Sequence, residues 1–374
     1  AMLVDGKPMR TIWPEETDAE GVGRAVGVID QTTLPHGFET VSLRSLDDAA
    51  HAIRAMLVRG APLIGATAAY GVALAVRENA SDAAVEAACA RLAETRPTAI
   101  NLAWALDEMR AALANQPHEA RPRIAWARAA AICEEDVAIN QAIGRAGLDL
   151  IRAAAAEKPA GEPVNVLTHC NAGWLATVDW GTATAPIYMA HDEGIALHVW
   201  VDETRPRNQG AALTAWELGR HGVPHAVIPD NSGGHLMRTG QVDLCFVGTD
   251  RTTANGDVCN KIGTYLKALA AKDNGVPFYV CLPSPTIDFT LDSGDAIPIE
   301  ERDAEEVTRL TGRTEDGRIE TVQVTPDGSP ARNHGFDVTP ARLVGGLVTE
   351  RGLCAADREA LAALFPERAG GAAD

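Results

Sequence analysis

Between residues 46 and 156, apolar side chains recur every three or four positions. Beyond residue 163 they come instead in short solid runs separated by helical stretches. The first pattern is that of amphipathic helices, and the second is that of strands buried on both faces. In the first half, "SLDDAAHAIRAML", "SDAAVEAACARLAE" and "INLAWALDEMRAALANQ" are rich in Ala, Leu and Glu, with Ser45 and Ser81 placed as N-caps. Pro97, Pro117 and Pro122 punctuate the series. Ahead of it, "MRTIWP" and "AVGVIDQTTLP" predict a small sheet within residues 8–35. In the second half the predicted strands are "VNVLTHC", "IALHVWVDE", "HAVIPD", "VDLCFVGTD" and "PFYVCLP", with helices such as "LTAWELGRHG" and "VCNKIGTYLKALAAKD" between them. That alternation predicts a parallel, doubly wound sheet. The expected fold is α/β. A mainly helical N-terminal domain with a small sheet covers residues 1–157, and a Rossmann-like domain with a mainly parallel sheet covers residues 158–374.

Composition narrows the function. A formal charge of −18 argues against a partner with a phosphate backbone, which rewards net positive charge. A phosphorylated metabolite stays open if donors cluster locally. The 7 cysteines show no CxxC spacing and are odd in number, so neither a zinc site nor a disulfide framework is expected. The longest uncharged run, Gly60 to Val76, falls short of the ~20 residues of a membrane helix. The opening "AMLVDGK" lacks signal-peptide character, so the expected setting is cytoplasmic, with no membrane and no nucleic acid.

Doubly wound sheets bind ligands beyond the carboxyl ends of their strands. Cys170, Asp202, Asp230 and Asp250 all fall at such ends. Cys170 closes its strand among polar neighbours near an expected helix start, where a thiolate gains from the dipole. Its neighbour His169 alternates to the other face. Asp250 follows an apolar run, so a dry setting with a raised pKa is expected, suited to donating a proton. In "VRGAPLIG", Gly60 permits close backbone approach and Pro62 suits a first helical turn beside Arg59, an arrangement that fits an anion. A tight turn with a surface arginine fits the same residues. Arg96 precedes a second helix, with Thr98 as its cap. Gln209 gains access through Gly210. Asn260 and Lys261 are expected at a helix start, where the lysine either meets a phosphate or is simply solvated. No P-loop and no GxGxxG fingerprint is present.

Together, "VRGAPLIGATAAYG", "TRPTAINLAWAL", "LTHCNAG", "DETRPRNQGA", "DRTTANGDVCNKIGTY" and "FDVTP" resemble, in this order, the methylthioribose-1-phosphate isomerase family. The resemblance implies a homodimer acting on a sugar phosphate, with no metal or nucleotide cofactor. It carries the catalytic roles onto Cys170 and Asp250, and substrate contacts onto Arg59, Gly60, Ala61, Arg96, Gln209, Asn260 and Lys261. Asp250 would protonate the ring oxygen; Cys170 would shuttle a proton or stabilise the transition state, and hydride transfer is the other route. Variants of this family isomerise 5-deoxyribose 1-phosphate or ribose 1,5-bisphosphate. The same fold serves noncatalytic regulatory subunits of an initiation-factor exchange complex. The chain departs from the family's usual residues at Trp174, Asp179, Trp180, Ala212, Thr249, Thr252, Thr253 and Cys259, which leaves the 5-substituent open. With Trp174 or Trp180 against the sugar's C5 end, an apolar substituent is expected over a second phosphate.

Overall fold

The computed structural model describes residues 2–370. Short strands β1 (Met2–Val4) and β2 (Lys7–Met9) pair with each other, and β3 (Ile12–Glu15), β4 (Ala25–Ile29) and β5 (Thr40–Leu43) form the small antiparallel sheet. Helices α1 (Leu46–Arg54), α2 (Ala61–Glu78), α3 (Asp82–Ala93), α4 (Ile100–Leu113) and α5 (Arg121–Ala156) follow. Ser45 closes a capping box with Asp48, and the Ser81 hydroxyl accepts from the Ala84 amide, so both serines cap as expected. Each such cap stabilises its helix by about 1 kcal/mol. Pro122 does not interrupt the series; it sits in the first turn of α5, where its missing N–H costs nothing. Thr98 is not a cap either: α4 begins after Ala99 without a side-chain cap.

The middle helix, α2, is almost wholly buried, and its small residues make that feasible. A Cβ on Gly71 would lie 3.0 Å from the Ala49 Cβ and 3.2 Å from the Leu92 methyls, so α1 and α3 press directly on this helix.

The second half alternates through β6 (Val164–Thr168), α6 (Ala185–Asp192), β7 (Leu197–Asp202), α7 (Ala215–His221), β8 (His225–Ile228), α8 (Gly233–Arg238) and β9 (Leu244–Val247). Next come β10 (Arg251–Thr253), β11 (Val258–Lys261), α9 (Thr264–Asp273), β12 (Phe278–Cys281) and β13 (Ile287–Asp288). The chain ends through the exposed hairpin β14 (Arg309–Arg313) and β15 (Ile319–Gln323), then β16 (Phe336–Thr339), β17 (Gly346–Thr349) and β18 (Gly352–Cys354). The main sheet runs β18-β17-β12-β9-β6-β7-β8 and is parallel except at β17–β18. Val164 and Val166 face one apolar core, while Leu167 faces another, as expected for strands covered on both sides.

Residues 258–261 correct the sequence reading, which ran a helix through them. They form β11, held antiparallel between β10 and β16 in a second sheet ordered β13-β10-β11-β16. The β-branched Val258 and the register with Phe336–Thr339 outweigh local helix preference. The helix starts only at Thr264, after Gly263 at φ 102°. Among the described residues, no helix is long and apolar enough to cross a membrane.

We propose that the chain divides after α5 into units of residues 1–157 and 158–374. The two are closely joined: Ile143, Leu148 and Ile151 of α5, with Met2 and Ile29, share a core with the main sheet. At this junction Asp136 of α5 accepts from the Val178 amide at 2.8 Å, and burial raises its carboxyl to about 7. A folded-state pKa above the unfolded one stabilises at low pH, and that contribution disappears as pH rises through about 7. Asp136→Asn keeps an acceptor for Val178 without the buried charge. Thermal melts are expected to show it near neutral at pH 4 and stabilising at pH 8 by on the order of 1–3 kcal/mol.

Candidate active site

Strand β6 connects forward to β7 on one side, yet its other neighbour is β9. The strand order reverses there, which opens a crevice beyond the carboxyl ends of β6 and β9. Cys170 follows β6, and Asp250 follows β9, so adjacent strands deliver the thiol and the carboxyl to one place. Cys170 is a left-handed residue at φ 62°, an uncommon state for a side chain with a Cβ. Two threonines hold it: the Cys170 amide donates to Thr204 Oγ1 at 2.8 Å, and Thr214 Oγ1 donates to the Cys170 carbonyl at 2.7 Å. Asp250 is anchored by its own amide, which donates to the Cys259 carbonyl of β11 at 2.9 Å.

The cleft at this crevice brings together Arg59, Gly60, Ala61, Arg96, Cys170, Gln209, Asp250 and Lys261. An adjoining recess shares Arg59, Gly60, Ala61, Cys170 and Asp250 and adds Asn260. All nine residues singled out from the sequence therefore surround one connected space. The elements that supply them differ in part from expectation. Gly60 and Pro62 do start α2, and Arg96 precedes α4. Asn260 and Lys261 come from the end of a strand, not from a helix start.

Two glycines have a different reason from the one expected. A Cβ on Gly60, at φ 87°, would lie 2.5 Å from the Ala176 Cβ, and one on Gly210 would lie 1.6 Å from the Asp202 carbonyl oxygen. The close approach is of backbone to backbone. Gly60 seats α2 on the loop after Cys170, and Gly210 seats the turn after Gln209 on the end of β7. That turn, Gly210–Thr214, is a π-helical segment, a form frequent near functional sites.

The electrostatics sort the cations of the cleft into two groups. Arg302 is paired with Glu306 at 2.8 Å and Glu300 at 3.3 Å, Arg207 with Glu306 at 3.4 Å, and Arg251 with Asp288 at 3.7 Å. Among the described residues, Arg59, Arg96 and Lys261 form no direct ion pair with a carboxylate. Arg59 instead donates to Asn171 Oδ1 at 2.6 Å and to the Asn171 carbonyl at 2.9 Å. The Lys261 ammonium lies 4.9 Å from the Phe336 ring centre, a cation–π contact. Desolvation lowers the pKa of both Arg59 and Lys261. Three cations without carboxylate partners call for an anion.

Burial raises the Asp250 carboxyl above its ordinary value, although Lys261, Arg96 and Arg59 pull it back. The expectation of a raised pKa there agrees with this direction. Burial also raises the Cys170 thiol, against the pull of Arg59 and Lys261. That corrects the expectation of a helix dipole favouring a thiolate. After Gly173 the chain makes only a short 3-10 turn, Trp174–Ala176, and α6 begins at Ala185, so the expected helix start does not follow the thiol directly; the helix start that shares its recess is that of α2.

Of the other acids placed at strand ends, neither Asp202 nor Asp230 lines the cleft. Asp202 Oδ2 lies 2.8 Å from His169 Nδ1 and 3.2 Å from the Lys267 ammonium, and Asp230 accepts from the Thr204 and Arg205 amides. His169, Asp202 and Asp230 are near enough to hold an ion, but Lys267 already supplies the cation. His169 lies outside the cleft, as strand alternation indicates; its Nε2 is 2.8 Å from the Ile262 carbonyl. Trp174 and Trp180 do not line the cleft. Trp174 is buried and stacks on Trp216 at 6.3 Å, because a large ring directly after the β6 loop finds the core before it finds the ligand space. The apolar wall is made by Met56, Ile64, Ile100, Ile297, Pro298 and Phe336. Sequence reasoning missed this wall and Glu300 and Arg302, which lie in a stretch without regular periodicity.

Known proteins share both this architecture and its sequence. The model of the initiation factor 2 subunit family matches residues 57–356. A methylthioribose-1-phosphate isomerase of Rhodospirillum rubrum is 64% identical over 98% of this chain and 94% of that protein. One of Methylorubrum populi is 66% identical over 98% of this chain and 99% of that protein. The chain belongs to the initiation factor 2 subunit family, and within it to the methylthioribose-1-phosphate isomerases. The crystal structure of 5-methylthioribose 1-phosphate isomerase from Pyrococcus horikoshii OT3 superposes with TM-score 0.81 at 37% identity, covering 96% of this chain and 97% of that one. Translation initiation factor eIF-2B, subunit delta, from A. fulgidus superposes with TM-score 0.78 at 35% identity, over 96% of this chain and 100% of that one.

For a methylthioribose-1-phosphate isomerase, the arrangement makes a direct test of the two side chains at the strand ends. Asp250→Asn is expected to lower kcat by about 10²–10⁴-fold, the range for loss of a general acid, with circular dichroism unchanged. Cys170→Ser, which exchanges one small neutral group for another, is expected to lower it by less. Near-normal turnover by a folded Asp250→Asn protein would remove Asp250 from the role of acid.

Proposed function

We propose that the protein converts 5-methylthioribose 1-phosphate into 5-methylthioribulose 1-phosphate, with Arg59, Arg96 and Lys261 holding the phosphate. The observation that carries this reading is the set of three cations without carboxylate partners, gathered around the thiol of Cys170 and the carboxyl of Asp250. The names of relatives at 62–66% identity agree with it. A noncatalytic regulatory role would leave no use for a proton-holding acid placed beside an anion site.

The chemistry follows from the substrate. An aldose 1-phosphate is a locked acetal, so the bond from C1 to the ring oxygen must break before hydrogen can move. Asp250 delivers a proton to that oxygen as the bond opens. The hydrogen on C2 then passes to C1, the O2 hydroxyl returns its proton to the Asp250 carboxylate, and C2 becomes the ketone. A thiol raised by burial is a poor resting base. Cys170 in this reading therefore bounds the reacting carbons as a neutral group, which fits hydride movement better than proton shuttling. Gly60, Ala61, Gln209 and Asn260 complete the substrate contacts. Homodimer assembly and a cytoplasmic setting with reduced thiols belong to the same reading.

The pH dependence has a defined sign. A raised carboxyl pKa keeps the acid protonated to higher pH, so kcat is expected to fall as pH rises through the Asp250 value. A kcat profile without an alkaline limb would contradict the assignment.

Selectivity is set by the apolar wall together with the neutralised arginines. Arg207, Arg251 and Arg302 already have carboxylate partners, so a second phosphate would lie beside Glu300 and Glu306 without a free cation. Burying an unpaired charge costs far more than burying a methylthio group. In kcat/KM, methylthioribose 1-phosphate is expected to lead. 5-Deoxyribose 1-phosphate should follow, within the roughly 10–200-fold that apolar discrimination allows, and ribose 1,5-bisphosphate should come last. A leading bisphosphate would show that one of these arginines leaves its carboxylate to bind the substrate.

A further inference from the structure

Glu217, on α7, is buried to 1% exposure yet carries a carboxyl group at the back of the active site. It lines neither the cleft nor its recess. Four donors converge on it. Oε1 accepts from the Trp174 amide at 2.8 Å and from the Tyr188 hydroxyl at 2.8 Å. Oε2 accepts from Asn171 Nδ2 at 3.0 Å and from the Leu175 amide at 3.2 Å. Burial raises its carboxyl, with these four donors pulling the other way. A Cβ on Gly173 would lie 2.1 Å from Glu217 Oε1, so the loop after Cys170 is shaped around this one group.

We propose that Glu217 is the positioning residue of the phosphate clamp, acting on Arg59 through the side-chain amide of Asn171. The proposal rests on the isomerase reading given above. An asparagine amide can face either way, and only its surroundings decide. Here Asn171 Nδ2 donates to Glu217 Oε2 and to Thr214 Oγ1 at 3.0 Å, so Oδ1 must point the other way, towards Arg59 Nη1. Thr214 in turn donates to the Cys170 carbonyl. One short helical stretch, residues 214–217, thereby sets the backbone of the thiol and the direction of the guanidinium. Arg59 needs this help because it has no carboxylate to orient it, and a carboxylate in direct contact would cancel the charge that the phosphate requires. Glu217 orients the arginine from one residue further back, where four donors converge on its two oxygens.

Glu217→Gln is the discriminating change. Its amide N–H₂ replaces one carboxylate oxygen and meets donors. Turned towards Asn171, it reverses that amide and sets Nδ2 against the Arg59 guanidinium. In the purified full-length protein, calorimetry with inorganic phosphate is expected to show binding weakened by about 10- to 100-fold, the usual consequence of losing a hydrogen bond to a charged group. KM for methylthioribose 1-phosphate should rise more than kcat falls. Combined with Arg59→Lys, the change should add less than about 2-fold, because both act on one clamp. Tyr188→Phe removes a donor to Glu217 but spares Asn171, and should stay within about 3-fold of wild type. Should Glu217→Gln not fold, Asn171→Ala leaves Glu217 with its other three donors and is expected to give the same loss and the same non-additivity with Arg59→Lys. Phosphate affinity within 3-fold of wild type in the folded variant, full additivity with Arg59→Lys, or an equal loss in Tyr188→Phe would each overturn the proposal. So would a wild-type protein that binds no phosphate. A wild type that binds phosphate but turns over no aldose 1-phosphate would instead defeat the isomerase reading, and the phosphate series would still decide the role of Glu217.

Discussion

The parallel pairing of β6 with β9 is the constraint on which the rest of the site depends. Val166 pairs with Leu244 and Leu167 with Cys245. Because β6 hands its chain to β7 on the opposite side, nothing in the connectivity fills the space beyond the ends of β6 and β9. Two chain reversals leave that space, one through Cys170 and one through Asp250. A one-residue slip in this register would turn every side chain of β9 to the other face. With Leu244 and Phe246 packed in one core and Cys245 and Val247 in the other, such a slip would exchange large side chains for small ones on both faces. The hydrophobic core thus fixes the separation of the thiol from the carboxyl, and the helical half of the chain then closes over them with Arg59, Gly60 and Arg96.

An acidic chain that binds a phosphate must keep its own carboxylates away from the cations that do the binding. Here the separation is local. Glu300, Glu306 and Asp288 occupy Arg302, Arg207 and Arg251, while among the described residues Arg59, Arg96 and Lys261 form no direct ion pair, Arg59 bonding Asn171 and Lys261 lying against the Phe336 ring. The same arrangement explains why Asp250 retains a raised pKa with three cations nearby: burial is the larger effect, and none of the cations touches it. An acid that formed a direct salt bridge would give up its proton too readily to donate it.

Five strands of the main sheet, β6, β7, β8, β9 and β12, were legible from their apolar runs, whereas β17 and β18 were not; Ser45 and Ser81 were legible because a cap is a local interaction. The polar residues of the cleft were legible by type, since each falls where the pattern leads out of the core; its apolar wall was not. Reasons and surroundings were less so. Residues 258–261 form a strand because of partners at 251–253 and 336–339, and no local signal reveals partners that distant. Trp174, marked as a pocket residue because it departs from the family's usual residue, stacks on Trp216, which follows only after α6, β7 and a turn. Gly60 and Gly210 were rightly marked as points of close approach, yet what approaches is backbone. Glu217 gave no signal at all: in "LTAWELGRHG" it reads as one polar position of an amphipathic helix.

That last case shows why positioning groups are hard to read from a chain. A group that touches substrate must lie at an opening, and openings in this fold follow from strand order. A group that works through another side chain lies in the core, where the sequence pattern predicts an apolar residue. Its only mark is a carboxylate that burial alone would not tolerate, made tolerable by four donors assembled from residues 171, 174, 175 and 188. Losing the Tyr188 hydroxyl costs Glu217 one bond, whereas losing the acceptor that the four donors share would leave all of them unpaired. The loop after Cys170 is therefore held from behind by α7, in addition to the bonds that Thr177 and Ala172 make within the loop itself. Arg59, which donates to the side chain and the carbonyl of Asn171, is tied to the same order.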